Sequence, residues 1–315
     1  MSAPSNPAST PLPKLTQVAV GIVHNEQGQV LYAQRPAGKP YAGWWEFPGG
    51  KLETGESLAS GLARELKEEL GIAIHDCHHW LSQTFTYPHA NVHLQFCHVR
   101  HFSGVPQGLE GQAWAWGSAL TPPLPFLPAA LPVLKVLQLP QRLHASAVAQ
   151  YGLVRWQAKL LQLTTGVLIF SEPTLNPVEA RQAFQACLTW KAAAPTQRLL
   201  IVASAHPADW RGLCDGVHFC EADLLNLTAR PSLDWVSASI TDRHALEAAK
   251  ALGCNFVCVG DFTHAGAQDK RSRSWAAWGD LLAGTHIAAY LANGLGEHDL
   301  PFAFAAGAAG VVCSL

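Results

Sequence analysis

The sequence predicts an α/β protein of two domains: a mixed sheet flanked by helices, then β/α units closing into a small (β/α)8-like barrel. Three observations point there. The 315 residues exceed what a single hydrophobic core usually serves. A Pro-rich apolar stretch at residues 119–141 (ALTPPLPFLPAALPVLKVLQLPQ) separates two textures. Beyond it, apolar strand-like runs at 167–170, 199–203, 216–219, 234–239, 255–259, 285–290 and 310–314 alternate with helical stretches such as 177–191, 242–252 and 274–282. That alternation is the pattern of parallel β/α units.

In chain order, residues 1–13 are rich in Ser and Pro and are expected to be disordered. Residues 17–23 (QVAVGIV) read as a strand, 25–28 as a turn, and 30–34 as its return. Arg35 opens the loop RPAGKPYAGWWEFPGGK, whose Gly and Pro residues ask for fixed turns while Trp44, Trp45 and Phe47 offer large flat surfaces. Residues 84–87 and 92–102 alternate apolar and polar side chains as strands do, and 114–116 forms another short strand. A short apolar helix at 129–137 ends this half, which places the boundary near Leu139 and Pro140 and the domains at 14–139 and 140–315.

Composition narrows the function classes. A net charge of −2 supplies no basic field for nucleic acid or anionic membrane. No run approaches the roughly 18 apolar residues of a membrane span, and the N-terminal residues lack an apolar signal core. The eight cysteines form no CxxC pair and read as small buried hydrophobes in a reducing, cytoplasmic setting.

The chemistry is concentrated in residues 50–72, GKLETGESLASGLARELKEELGI. A helix advances about 100° per residue, so Glu65, Glu68 and Glu69 share one face. Like charges at those separations destabilise a helix, so the three carboxylates ask for a cation, and oxygen donors alone suit Mg2+ or Mn2+. Arg64 is placed to orient a carboxylate. Glu56 lies nine residues before Glu65, on the far side of any continuous helix, and must fold back from a loop. Ser57 or Thr54 suits the helix start and Gly71 its left-handed stop, while Leu58, Leu62, Leu66 and Leu70 repeat along the buried face. Metal-bound carboxylates beside a water suit attack on phosphorus.

The stretch fills every fixed position of G-x5-E-x7-R-E-U-x-E-E-x-G-U, with U aliphatic, and so resembles the Nudix hydrolases. Residues 15–139 are similar to the MutT-like branch, through VAVGIV, the QRP segment, WEFPGGKLE and LEGQ at 109–112. The resemblance implies hydrolysis of 8-oxo-dGTP to 8-oxo-dGMP and pyrophosphate, which sanitises the nucleotide pool in support of DNA replication and repair. It implies that the Gly49 carbonyl and Glu69 hold the metal with Glu56 and Glu68 close by. Glu65 becomes the general base and a further metal contact, assisted by Arg64, and Glu110 an additional ligand or base. Arg35, Glu46, Phe47, Pro48, Gly49 and Lys51 are implied to line the substrate site. Where the family reads the base with an Asn in a PxAN segment, Ala130 stands in Pro128-Ala129-Ala130, so the metal chemistry carries over and base recognition departs.

Residues 142–315 resemble the thiamine phosphate synthase and TenI family, through Leu161-Gln162-Leu163, Asp215-Gly216-Val217-His218, Ala238-Ser239 and 306–311. After LQL that family expects Arg and Lys, but Thr164 and Thr165 follow. Its Asn-Asp is replaced in Val202-Ala203-Ser204, its Gly-Gly is Asn293-Gly294, and Asp223 alone keeps a metal aspartate; Lys270, Arg271 and Arg273 are candidate substitutes for the lost cations. The resemblance therefore implies a TIM-barrel-like fold without synthase chemistry. The alternatives are a hydrolase of thiamine diphosphate or its damaged analogues, and a ligand-binding or scaffolding module for thiamine-related phosphates.

Overall fold

The computed structural model describes residues 15–260, 274–292 and 294–315. The segment expected to be disordered (1–13), the basic residues Lys270, Arg271 and Arg273, and Asn293 lie outside them. The chain divides into two compact units. The first runs to Cys77 and includes Ser82–Gly117 and Pro123–Ala129; the second takes His78–Leu81, Ser118–Pro122 and Ala130–Leu315.

In the first unit β1 (Leu15–Val23) turns back into β2 (Val30–Gln34). The Asn25 carboxamide oxygen accepts the N–H groups of Gln27 (3.1 Å) and Gln29 (2.9 Å), and Gly28 takes φ 73°, so local side-chain chemistry makes the expected turn. After the loop come β3 (Trp45–Glu46), β4 (Gly49–Lys51), α1 (Leu58–Leu70), β5 (Ala73–Ile74), β6 (His78–Tyr87), β7 (Ala90–Val99), β8 (Phe102–Ser103) and β9 (Trp114–Gly117). The main sheet is ordered β4-β1-β7-β6 and is mixed: β1 runs parallel to β7 and antiparallel to β4. A second sheet, β3-β2-β9, carries the antiparallel remainder, and β5 pairs with β8. Leu62, Leu66 and Leu70 of α1 pack with Ala19, Val23, Leu31, Cys97 and Val99, which fixes the helix against the sheet.

The second unit begins with α2 (Leu131–Leu137), entered through a 3-10 turn at Pro128–Ala130. Lys135 donates to the Asp234 carbonyl (2.7 Å) and lies 4.8 Å over the Trp235 ring, tying α2 to the strands that follow. Eight parallel strands then close into a barrel: β10 (Arg142–Ala145), β11 (Gly166–Phe170), β12 (Arg198–Ala203), β13 (Gly216–Phe219), β14 (Trp235–Ile240), β15 (Phe256–Val259), β16 (Ala288–Leu291) and β17 (Gly310–Ser314). Between them lie α3 (Val148–Tyr151), α4 (Leu153–Gln162), α5 (Pro177–Ala192), α6 (Glu221–Leu225), α7 (Arg243–Leu252), α8 (Trp275–Leu282) and α9 (Leu300–Ala305). Closure comes from β10, which pairs with β17. Its four residues, RLHA, are too short and too polar to register as an apolar run.

Leu161-Gln162-Leu163 closes helix α4: Trp156 and Leu160 are buried, whereas Leu161 is 79% exposed. Thr164 and Thr165 follow that helix, and β11 ends at Phe170 with Ser171 and Glu172 after it. The two faces of α4 make a measurable contrast. Leu160→Ala, on its buried face, is expected to lower stability in urea by about 2–5 kcal/mol. Leu161→Ala is expected to change it by no more than about 0.5 kcal/mol.

Candidate active site

Helix α1 starts where Ser57 caps it, its hydroxyl accepting the Ser60 N–H (3.2 Å), and stops at Gly71, left-handed at φ 70°. With its leucines buried, the remaining face presents Arg64, Glu65, Glu68 and Glu69. Arg64 is the hub. Its Nε and Nη2 donate to the two oxygens of Glu56 (3.1 and 3.0 Å), Nη1 to Glu65 (3.0 Å) and Glu68 (3.2 Å), and Nη2 also to the Lys51 carbonyl (3.0 Å). The fork of five donors allows one residue to gather three carboxylates. The Glu53 N–H adds a bond to Glu56 Oε2 (3.0 Å). Arg64 first, and that amide second, hold the Glu56 carboxyl below the usual carboxylate range. The loop residue thus folds back as expected, and the means is now visible.

Glycines make the close approaches possible. A Cβ at Gly61 would lie 2.2 Å from Leu52 Cδ2 and 2.9 Å from Glu56 Oε2, so only glycine lets the loop cross the helix there. A Cβ at Gly50 would lie 2.2 Å from the Glu65 carboxyl, which rests directly on that backbone. Gly49 has φ 142°, and its Cβ would meet the Ala19 carbonyl at 2.2 Å. Gly61 was missed in the sequence; its only signal is a helix-disfavouring residue inside a strongly periodic helix.

Glu69 faces a different set of neighbours. Burial and the negative charges of Glu46, Glu65 and Glu110 push its carboxyl up to about 7, with Lys39 opposing. Its backbone carbonyl accepts Leu109 N–H (2.9 Å) and Gln112 Nε2 (2.9 Å), which docks the LEGQ loop on the end of α1. Glu110 is ion-paired to Lys39 (2.9 Å). Glu46 is half-buried and bound by Arg35 Nη1 on both oxygens (3.0 and 2.7 Å), while Arg35 Nε donates to the Pro40 carbonyl (2.7 Å). Phe47 is 3% exposed among Tyr32, Phe96 and Phe126, and Pro48 is buried beside it. The Lys51 side chain is exposed. Ala130 is buried as the N-cap of α2 and follows Ala129, whose carbonyl accepts Gln83 Nε2 (2.9 Å).

Among the described residues no three His, Cys, Asp or Glu side chains are drawn into a ligand shell. The donor set nonetheless fits a hard divalent cation. Glu69 stands amid three other carboxylates, its proton affinity raised by burial and then by their repulsion, and every side-chain donor is oxygen.

A NUDIX domain family model matches residues 14–119, and a thiamine monophosphate synthase family model matches residues 144–314. An 8-oxo-dGTP diphosphatase of Haemophilus influenzae is 41% identical over 103 residues, 33% of this chain and 76% of the relative. A CTP pyrophosphohydrolase of Escherichia coli is 41% identical over 125 residues, 39% of this chain and 90% of the relative. A solved MutT structure, from work on Aliivibrio salmonicida and Vibrio cholerae, is 35% identical over 39% of this chain and 97% of that one, with a TM-score of 0.35.

This chain belongs to the Nudix family.

Its second unit, more than half of the chain, belongs to the thiamine monophosphate synthase family. Nudix hydrolases generally use divalent metals, in keeping with the carboxylates around Glu69. At the strand ends of the barrel no comparable cluster forms among the described residues. The Glu172 carboxylate accepts Val148 N–H (2.5 Å) and Ala149 N–H (3.2 Å), and its own N–H donates to His206 Nε2 (3.0 Å). Burial pushes His206 down to about 4, so it is neutral. His218 bridges Ser237 and Ser239 at 2.9 Å each, and Asp223 accepts from Ser204 Oγ (2.5 Å).

Two outcomes test the Nudix geometry. Gly50→Ala is expected to lower hydrolysis at least tenfold with little change in melting temperature, because the new methyl displaces Glu65 rather than the core. Glu69 holds its proton more tightly folded (about 7) than unfolded. It therefore stabilises the metal-free protein at low pH, and that stabilisation is lost as pH rises from about 4.5 to 7. In EDTA the wild type is expected to lose melting temperature relative to Glu69→Gln across that window, and Mg2+ to close the gap above it.

Proposed function

We propose that this chain is a Mg2+-dependent nucleoside triphosphate pyrophosphohydrolase, with Mn2+ able to substitute, acting on 8-oxo-dGTP. The reading assigns hydrolysis to residues 14–139. Water adds to the β-phosphorus and the bond from that phosphorus to the α–β bridging oxygen breaks, which releases 8-oxo-dGMP and pyrophosphate. The observation that carries it is the gathering of Glu56, Glu65 and Glu68 by Arg64 beside Glu69. Among similar proteins, the name 8-oxo-dGTP diphosphatase supports the choice of base.

Each residue has a role in this reading. Glu69, Glu56, Glu68, Glu110, Glu65 and the Gly49 carbonyl would hold the divalent cation. That cation, when bound, neutralises phosphate charge and lowers the pKa of the attacking water. Glu65, oriented by Arg64 and seated on Gly50, takes the proton from that water. Glu46 keeps Arg35 in place between the loop and the substrate side. Phe47 and Pro48 form the floor beneath the nucleoside rather than a free wall, and Lys51 lines its edge. The barrel is non-catalytic: a carboxylate, Glu172, stands at the end of β11 and would repel a pyrophosphate.

The protein works in the cytoplasm on a small-molecule nucleotide; no helix among the described residues is long and apolar enough to cross a membrane. Steady-state kinetics test the proposal. Glu65→Gln or Glu69→Gln is expected to lower kcat in Mg2+ by about 10^2–10^4-fold. Wild-type kcat/KM should favour 8-oxo-dGTP over dGTP and CTP; equal values would remove the oxidised base from the proposal while leaving the hydrolase.

A further inference from the structure

We infer that Lys39 is a polyphosphate-binding residue which, before metal arrives, serves as the internal counter-ion of Glu110. A divalent cation displaces its ammonium from Glu110, and the ammonium then takes up the phosphates of the substrate. The inference rests on the hydrolase reading but not on which base is recognised.

The cations facing the carboxylates are not equivalent. Arg64 is engaged by Glu56, Glu65, Glu68 and the Lys51 carbonyl. Arg35 is engaged by both oxygens of Glu46 and by the Pro40 carbonyl. Each is a fork locked into several bonds, and releasing either would leave a half-buried carboxylate without its partner. Lys39 makes one contact, to Glu110 Oε2 at 2.9 Å, with the two side chains 47% and 44% exposed. A pair so exposed is weak and easily exchanged. An ammonium on a four-carbon stem can swing where a locked guanidinium cannot.

The backbone around Lys39 is fixed, so the motion is confined to the side chain. Its loop is closed by Arg35 N–H to the Trp44 carbonyl (2.8 Å) and Gly43 N–H to the Arg35 carbonyl (2.9 Å). Gly38 (φ 87°), Tyr41 (φ 62°) and Gly43 (φ 83°) make the turn, and the strained Tyr41 is tolerated because the surrounding bonds over-determine it. Across the gap, Glu110 sits on a loop anchored separately to α1 by Leu109 and Gln112, and its own N–H donates to Gln112 Oε1 (2.8 Å). The Lys39–Glu110 pair therefore joins two anchored loops at the edge of the carboxylate cluster. Once a cation neutralises those carboxylates, the triphosphate is the strongest anion within reach of Lys39.

The test uses the full chain and two independent readouts. Without nucleotide, Mn2+ binding followed by electron paramagnetic resonance is expected to tighten roughly two- to fivefold in Lys39→Met, because a competing internal cation is gone. With Mg2+ and 8-oxo-dGTP, the same variant is expected to raise KM about tenfold or more with a smaller effect on kcat. Lys39→Arg should recover most of the KM, which a merely structural lysine would not require. Unchanged or weaker Mn2+ binding in Lys39→Met, or an unchanged KM, overturns the inference. The metal arm needs no substrate, so it separates failure here from failure of the proposed function.

Discussion

The Arg64 guanidinium is the constraint on which the first unit's chemistry depends. Without it Glu56, Glu65 and Glu68 would repel one another, and the loop carrying Glu56 would have no reason to fold over the helix. The same group takes the Lys51 carbonyl, so strand β4, the loop and helix α1 are joined at one planar fork. Such a fork orients each carboxylate as well as neutralising it, which a lysine ammonium could not do with three partners at once. The site is thus polarised. Arg64 satisfies the Glu56 side, whereas Glu69 is left among negative neighbours on the other.

The hub operates because the backbone yields space. Gly49, Gly50 and Gly61 each stand where a Cβ would collide with a carbonyl, a carboxyl or a leucine methyl. Two of these collisions involve Glu65 and Glu56 themselves, so glycine and carboxylate are a single device. The leucines on the opposite side of α1 set the register: with Leu62, Leu66 and Leu70 fully buried, the helix cannot rotate to relieve repulsion on its acidic face. Packing on one face thus enforces electrostatic repulsion around Glu69 on the other.

Much of this was legible beforehand, and the failures have physical causes. The first-unit strands from 17 to 34, the box helix with its Ser57 cap and Gly71 stop, and helices α5, α7 and α8 follow from periodicity and end signals. The very short strands β3, β4 and β5 did not, because two or three residues carry no period, and the four residues of β10, RLHA, are too polar to read as an apolar run. Arg35 reads as an available cation in the sequence; only its neighbours show it shared between Glu46 and Pro40.

By itself the sequence carried the Nudix pattern, Glu56, Arg64, Glu65, Glu68 and Glu69 at fixed spacing, and helix geometry places Glu65, Glu68 and Glu69 on one face. It indicated two units as well, through the change from mixed to alternating texture, but it put the helix at 129–137 in the first half, whereas residues from Ala130 on group with the second. The tertiary structure decided which partner each charge takes. Glu46 was given to Arg35, Glu110 to Lys39 and the shared charges to Arg64, and β10 closed the barrel against β17. Those pairings join residues up to about 170 positions apart in the chain, where no periodicity reaches and only packing brings the groups together.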